Sequence, residues 1–166
     1  MAECLIPVCG VRMKLSDRIL SLNGGGSNGW EIFERARDMI DAGDAVTMLT
    51  IGEHDIGTSQ VILDEMHRAA TDGHTGYAAI PGTSKLRDTV ARRVQDRTGV
   101  PTTRNNVLIV PGGQSGLFAS HFAVLNPGDK ALHIDPYYAT YPGTLRAVGA
   151  EPVAIAARAE NGFQPT

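Results

Sequence analysis

The chain has 166 residues, 42% of them hydrophobic and 20% charged, with a formal net charge of -3 at pH 7. That length and composition suit a globular domain with a sizeable core; the charge gives no footprint for nucleic acid or an anionic membrane surface, and no apolar run reaches transmembrane length. Cys4 and Cys9 are the only cysteines, too far apart for Cys-x-x-Cys chemistry and without partners for a zinc site, so free thiols in a reducing cytoplasm are expected and a metal is not.

The first residues, MAECLIPVCGVRMK, contain a short apolar run without the basic flank of a signal peptide, and the first dozen read as a leader or a start-site artefact. Gly24 to Gly29 is a flexible polar link. Trp30, Phe33, Arg37 and Ile40 then recur at helical spacing up to Gly43. Val46 to Ile51 has strand composition. A helix is expected from about Ser59 to Thr71, stopped by Asp72-Gly73, and another from about Ser84 to Thr98, with Leu86, Val90 and Val94 on one side. From Asn106 the expected elements alternate: strand 107–110, helix 114–125, strand 130–134, helix 138–148 and strand 151–156. Such alternation predicts parallel βαβ units in an α/β fold, a three-layer αβα architecture with a mostly parallel sheet. Asn161 to Thr166 reads as an open loop, so the chain is expected to stop within a domain.

The stretch from Asn106 to Pro142 carries most of the chemistry. Val107 to Val110 leads into Gly112-Gly113, which permits a tight turn, and the next helix begins with N–H groups that attract an anion. After Asn126-Pro127-Gly128-Asp129 and a second strand comes Asp135-Pro136-Tyr137-Tyr138. An aromatic ring there can stack on a flat heteroaromatic ligand.

In order, strand, Gly112-Gly113, helix, Asn126-Pro127-Gly128-Asp129, strand, Pro136-Tyr137-Tyr138 and Thr140-Tyr141-Pro142 resemble the class I and II aminotransferases, the fold-type-I pyridoxal-phosphate enzymes. Two further blocks extend the resemblance over about a hundred residues. Leu49 to Thr58 is similar to the family's strand followed by G-E/D-P-D-F-D-T, with His54 where proline is usual. Gly76 to Arg87 is similar to its Y-x-x-x-x-G-x-x-x-L-R segment.

The resemblance implies pyridoxal 5'-phosphate as cofactor, an amino acid and a 2-oxo acid as substrates, and a homodimer. It places the cofactor's phosphate on the backbone of Gly113, Gln114 and Ser115 and its ring against Tyr138. Tyr77 would reach the partner subunit's phosphate, and Gly52 would lie beside the substrate carboxylate. It divides the chain into an N-terminal arm and first helix, 1–45, and the first part of the cofactor-binding large domain, 46–166. The family's Schiff-base lysine is expected beyond Thr166, because Lys14, Lys85 and Lys130 all read as solvated. No catalytic residue is therefore assigned within the chain, which is expected to be inactive alone.

Competing readings differ in chemistry. C–S lyases share these blocks, and an aminotransferase-like piece can persist without catalysis. Gly113-Gln114-Ser115-Gly116 also lies where a nucleophile elbow would, which makes Ser115 a remote candidate for a serine hydrolase, although Leu117 breaks the G-x-S-x-G pattern.

Overall fold

The computed structural model describes residues 5–8, 11–26 and 29–166, with side chains from residue 14 onward. Cys4 and Cys9, read above as free thiols, and Ser27 and Asn28 of the polar link lie outside the described residues. The chain divides into two compact units, Met1–Ile51 with Gly113–Thr166, and Gly52–Gly112.

In the first unit, β1 (Leu5–Val8) and β2 (Val11–Lys14) form an antiparallel hairpin where the sequence suggested only a leader. A short helix, α1 (Asp17–Leu20), follows; Ile19 N–H donates to Ser16 Oγ at 3.3 Å, which caps it. Helix α2 (Trp30–Asp41) starts after Gly29, whose φ of +81° lies in the left-handed region. Then come α5 (Gly113–Val124), β3 (Lys130–Asp135), α6 (Tyr141–Ala147), β4 (Glu151–Ala156) and a 3-10 turn, Ala159–Asn161, after which Pro165 bridges back to Ala157 where an open loop was expected. Strands β3 and β4 pair in parallel, Leu132 opposite Val153 and Ile134 opposite Ile155, with α6 as the crossover that a parallel pair requires. Leu145, Val148, Ala150 and Ala157 form the buried core of this unit, and Thr144 is buried with them.

The Asn126-Pro127-Gly128-Asp129 turn that separates α5 from β3 is fixed from three directions. Asn126 N–H donates to Asp129 Oδ2 at 2.7 Å, Gly128 N–H to Gly149 O at 2.9 Å, and Glu151 N–H to Asp129 O at 2.8 Å. A Cβ on Gly149 would come within 3.2 Å of Pro127, so the turn packs against the end of the crossover. That contact aligns the start of β3 with the start of β4.

The second unit holds α3 (Gln60–Thr71) and α4 (Ser84–Thr98). Gly99, φ +73°, ends α4 with its N–H on Gln95 O at 2.8 Å. A single 3-10 turn, Arg104–Asn106, docks on α4 through Arg104, whose guanidinium bonds Asp88 at 2.8 and 2.7 Å.

Three expected elements differ. Val107 to Val110 is extended at its start, with Val107 at φ -120° and ψ 125°, yet it pairs with no strand among the described residues. Its polar groups go elsewhere: Arg87 Nε donates to Val107 O at 2.9 Å and Ile109 N–H to Pro81 O at 3.0 Å. Val46 to Ile51 likewise forms no ladder, and Leu49 is 89% exposed. The helix expected from 138 begins at Tyr141, because Pro142 lacks an N–H and fits only in the first turn.

Candidate functional site

The segment expected from the sequence as a phosphate seat begins at the glycine pair. Gly112 has φ +82°, a conformation that favours glycine, whereas Gly113 does not and opens α5. A Cβ on Gly113 would meet nothing within 4 Å, so the chain's own packing does not require a glycine there. The space beside it suits a ligand that approaches the backbone closely. Helix α5 runs for 12 residues, and its start carries the positive end of the helix dipole, which favours an anion there.

Gln114 is exposed as a residue, yet its carboxamide is held at both ends. Nε2 donates to Thr144 Oγ1 at 2.5 Å, and Oε1 accepts from Thr140 Oγ1 at 2.9 Å. Thr144 Oγ1 in turn donates to Thr140 O at 2.9 Å. The side chain is thus committed to α6 and its cap. The backbone of Gln114 stays at the helix start, where the sequence placed it.

Tyr138 lies in the loop between β3 and α6, after a cis Asp135–Pro136 peptide, and is 65% exposed. Its carbonyl accepts from Tyr141 N–H at 3.0 Å, and the two rings stand 6.0 Å apart at 58°. Tyr137 meets His133 edge to face at 4.6 Å. An open cavity of about 540 Å³ is lined by Leu22, Trp30, Gln114, Phe118, Tyr137 and Arg146. Its arm wall is fastened where Arg146 Nη1 donates to Leu22 O at 3.0 Å. Another cavity, about 690 Å³, is bordered by Leu117, His121, His133, Tyr138, Tyr141 and Leu145, and the buried Nδ1 atoms of both histidines make no hydrogen bond.

The remaining expected residues belong to the second unit. Tyr77 follows the turn after α3 and is fully exposed. Gly52 has open space where a Cβ would stand and no left-handed φ, so packing within this chain does not explain a glycine there. The structure therefore joins Gly113, Gln114, Ser115 and Tyr138 in one unit, with Tyr77 and Gly52 in the other.

Sequence reasoning missed Thr140 and Thr144. Their i, i+4 spacing on a helix start was the available signal, but their partner lies 26 and 30 residues away. It also treated His121 and His133 separately, although they line one cavity. The residues present fit an anionic cofactor with a flat ring: a helix start without a side-chain obstruction, and an exposed aromatic ring on a loop tied to that start.

The sequence matches the description "Aminotransferase class I and II" over residues 44–166. Arginine–pyruvate transaminase of Pseudomonas aeruginosa is 32% identical over 152 residues, which cover 92% of this chain and 39% of that protein. Aspartate/prephenate aminotransferase of Thermus thermophilus is 30% identical over 131 residues, covering 79% of this chain and 34% of that protein. Among solved structures, aspartate aminotransferase from Thermus thermophilus with maleate superimposes with a TM-score of 0.84 at 28% identity, over 93% of this chain and 40% of that one. The chain thus spans about two-fifths of the length of these relatives, and the likeness supports the αβα class expected from the alternating elements.

Proposed function

Because this chain belongs to the aminotransferase class I and II family, we propose that its 166 residues are the amino-terminal portion of a pyridoxal-phosphate enzyme that moves an amino group from an amino acid to a 2-oxo acid. The observation that carries the proposal is the helix start at Gly113 to Ser115, open at Gly113 and linked through Gln114 to the loop that bears Tyr138. Pyridoxal 5'-phosphate, when bound, supplies a ring that draws electron density from the substrate's Cα.

The chain's residues have distinct tasks in this reading. The backbone N–H groups of Gly113, Gln114 and Ser115 bind the phosphate, where the helix dipole favours an anion. Tyr138 covers one face of the ring, keeps it flat and excludes water from that side. Gly52 leaves room for the substrate carboxylate. Tyr77, fully exposed in this chain, extends to the phosphate of a partner subunit, which makes the enzyme a homodimer with shared sites. The proton-moving lysine belongs to the portion of the relatives' length that this chain does not span. Residues 1–45 serve as an arm and 46–166 as the first part of the cofactor-binding domain. A cytoplasmic location is part of the same proposal, supported by only two cysteines in the chain.

The matched relatives are named transaminases, which favours amino transfer over C–S cleavage or serine hydrolysis. The test uses purified full-length protein. It should have an intact mass above 17.6 kDa, a yellow absorption band that borohydride abolishes, and activity in moving isotopically labelled nitrogen from an amino acid to a 2-oxo acid. A colourless protein that takes up no pyridoxal phosphate and transfers no label would overturn the proposal.

A further inference from the structure

The carboxamide of Gln114 connects two parts of the site that are far apart in sequence. One is the helix start of α5; the other is the cap and first turn of α6, immediately after Tyr138. The connection is directional. Thr144 Oγ1 gives its only proton to Thr140 O, so toward Gln114 it can only accept, which it does from Nε2 at 2.5 Å. Thr140 Oγ1 gives its proton to Gln114 Oε1 at 2.9 Å. Reversing the carboxamide would set its oxygen against an oxygen with no proton left to offer. Thr144 is 7% exposed, so water cannot readily replace the missing partner.

We propose that Thr144, with Thr140 and the Gln114 side chain, is a positioning device that sets the separation between the phosphate seat and the ring of Tyr138, and thereby the length of ligand the site accepts. The inference rests on the cofactor-site reading above. Thr140 and Thr144 are assigned no contact with phosphate or ring in this reading. They act through Gln114, whose backbone belongs to the seat, and through Thr140, two residues after Tyr138. A ligand that engages seat and ring together depends on their separation, whereas one that uses the seat alone does not.

That difference gives a test in the full chain with two probes, pyridoxamine 5'-phosphate and inorganic phosphate, titrated by calorimetry. Thr144→Val keeps the side-chain shape but removes the part-buried acceptor for Gln114 Nε2. It is expected to weaken pyridoxamine 5'-phosphate about tenfold and to leave inorganic phosphate within about twofold. Thr144→Ser keeps the hydroxyl and is expected to restore the binding of pyridoxamine 5'-phosphate, which also controls for folding. Parallel weakening of both probes by Thr144→Val, equal losses in the Val and Ser variants, or no loss in the Val variant would overturn the positioning role alone. Failure of the unaltered chain to bind pyridoxamine 5'-phosphate would overturn the cofactor-site reading, and the inference with it.

Discussion

Gly112 and Gly113 are adjacent and chemically identical, yet they answer to different demands. Gly112 is held at φ +82°, so an alanine there incurs the left-handed penalty of about 1–2 kcal/mol. Gly113 opens a helix with no left-handed φ and has open space at its Cβ, so Gly113→Ala should leave the stability unchanged or raise it by up to about 1 kcal/mol. Phosphate affinity should move the other way, because the added methyl enters the space that the ligand needs. Thermal denaturation and phosphate titration of the two variants separate these effects; unchanged phosphate binding in Gly113→Ala would remove that residue from the seat. The glycine pair was legible in the sequence because a turn residue announces itself locally. The Gln114–Thr144 bond was not, because a carboxamide carries no mark of which hydroxyl, 30 residues onward, will accept from it.

Helices were more legible than strands, for a physical reason that Val107 to Val110 illustrates. A helix satisfies its backbone within itself, so α3 and α4 could be read from spacing and stop residues nearly to their ends. Strand composition only states a capacity to pair, and the ladder belongs to the partner; β3 and β4 found each other, while Val107 and Ile109 bond to Arg87 and Pro81 instead. Helix α3 also carries a local charge cluster. Arg68 grips Glu65 through Nη2 at 2.6 Å and Nε at 2.9 Å, and reaches Asp72 at 2.5 Å. The hydrogen bond and charge of Arg68 hold the Glu65 carboxyl below the usual glutamate range, and those of Glu65 push Arg68 upward. Because the folded carboxyl titrates lower, the pair's contribution is present above the ordinary glutamate value of about 4.3 and fades as pH falls through the lowered one. A carboxyl NMR titration should give Glu65 a midpoint below that of an unpaired glutamate, with Arg68→Ala returning it. Both groups are solvent-exposed, so salt at about 1 M should shrink the shift as well.

At the scale of the whole molecule, the second unit presents apolar side chains to solvent: Val61 is 76% exposed, Met66 64% and Ile80 97%, with the fully exposed Tyr77 among them. Exposed apolar groups are a feature of surfaces that become covered. Under the proposed function the covering chain is a second copy, and a two-fold interface makes a specific demand on Tyr77: each tyrosine must serve the other protomer's seat. Mixing two defective variants, Tyr77→Ala and Gly113→Val, then distinguishes sharing from self-sufficiency. In a hybrid dimer, the intact seat of the first variant faces the intact tyrosine of the second, while both defects fall together in the other site. Random reassortment makes half the dimers hybrid, so about a quarter of all sites should regain cofactor binding after unfolding and refolding together. If Tyr77 served its own protomer, every site would keep a defect and mixing would restore nothing. A recovery near that fraction, measured by bound pyridoxal phosphate per chain, requires both a dimer and an exchange of residues across it, a conclusion that neither a molecular mass nor either single substitution could supply.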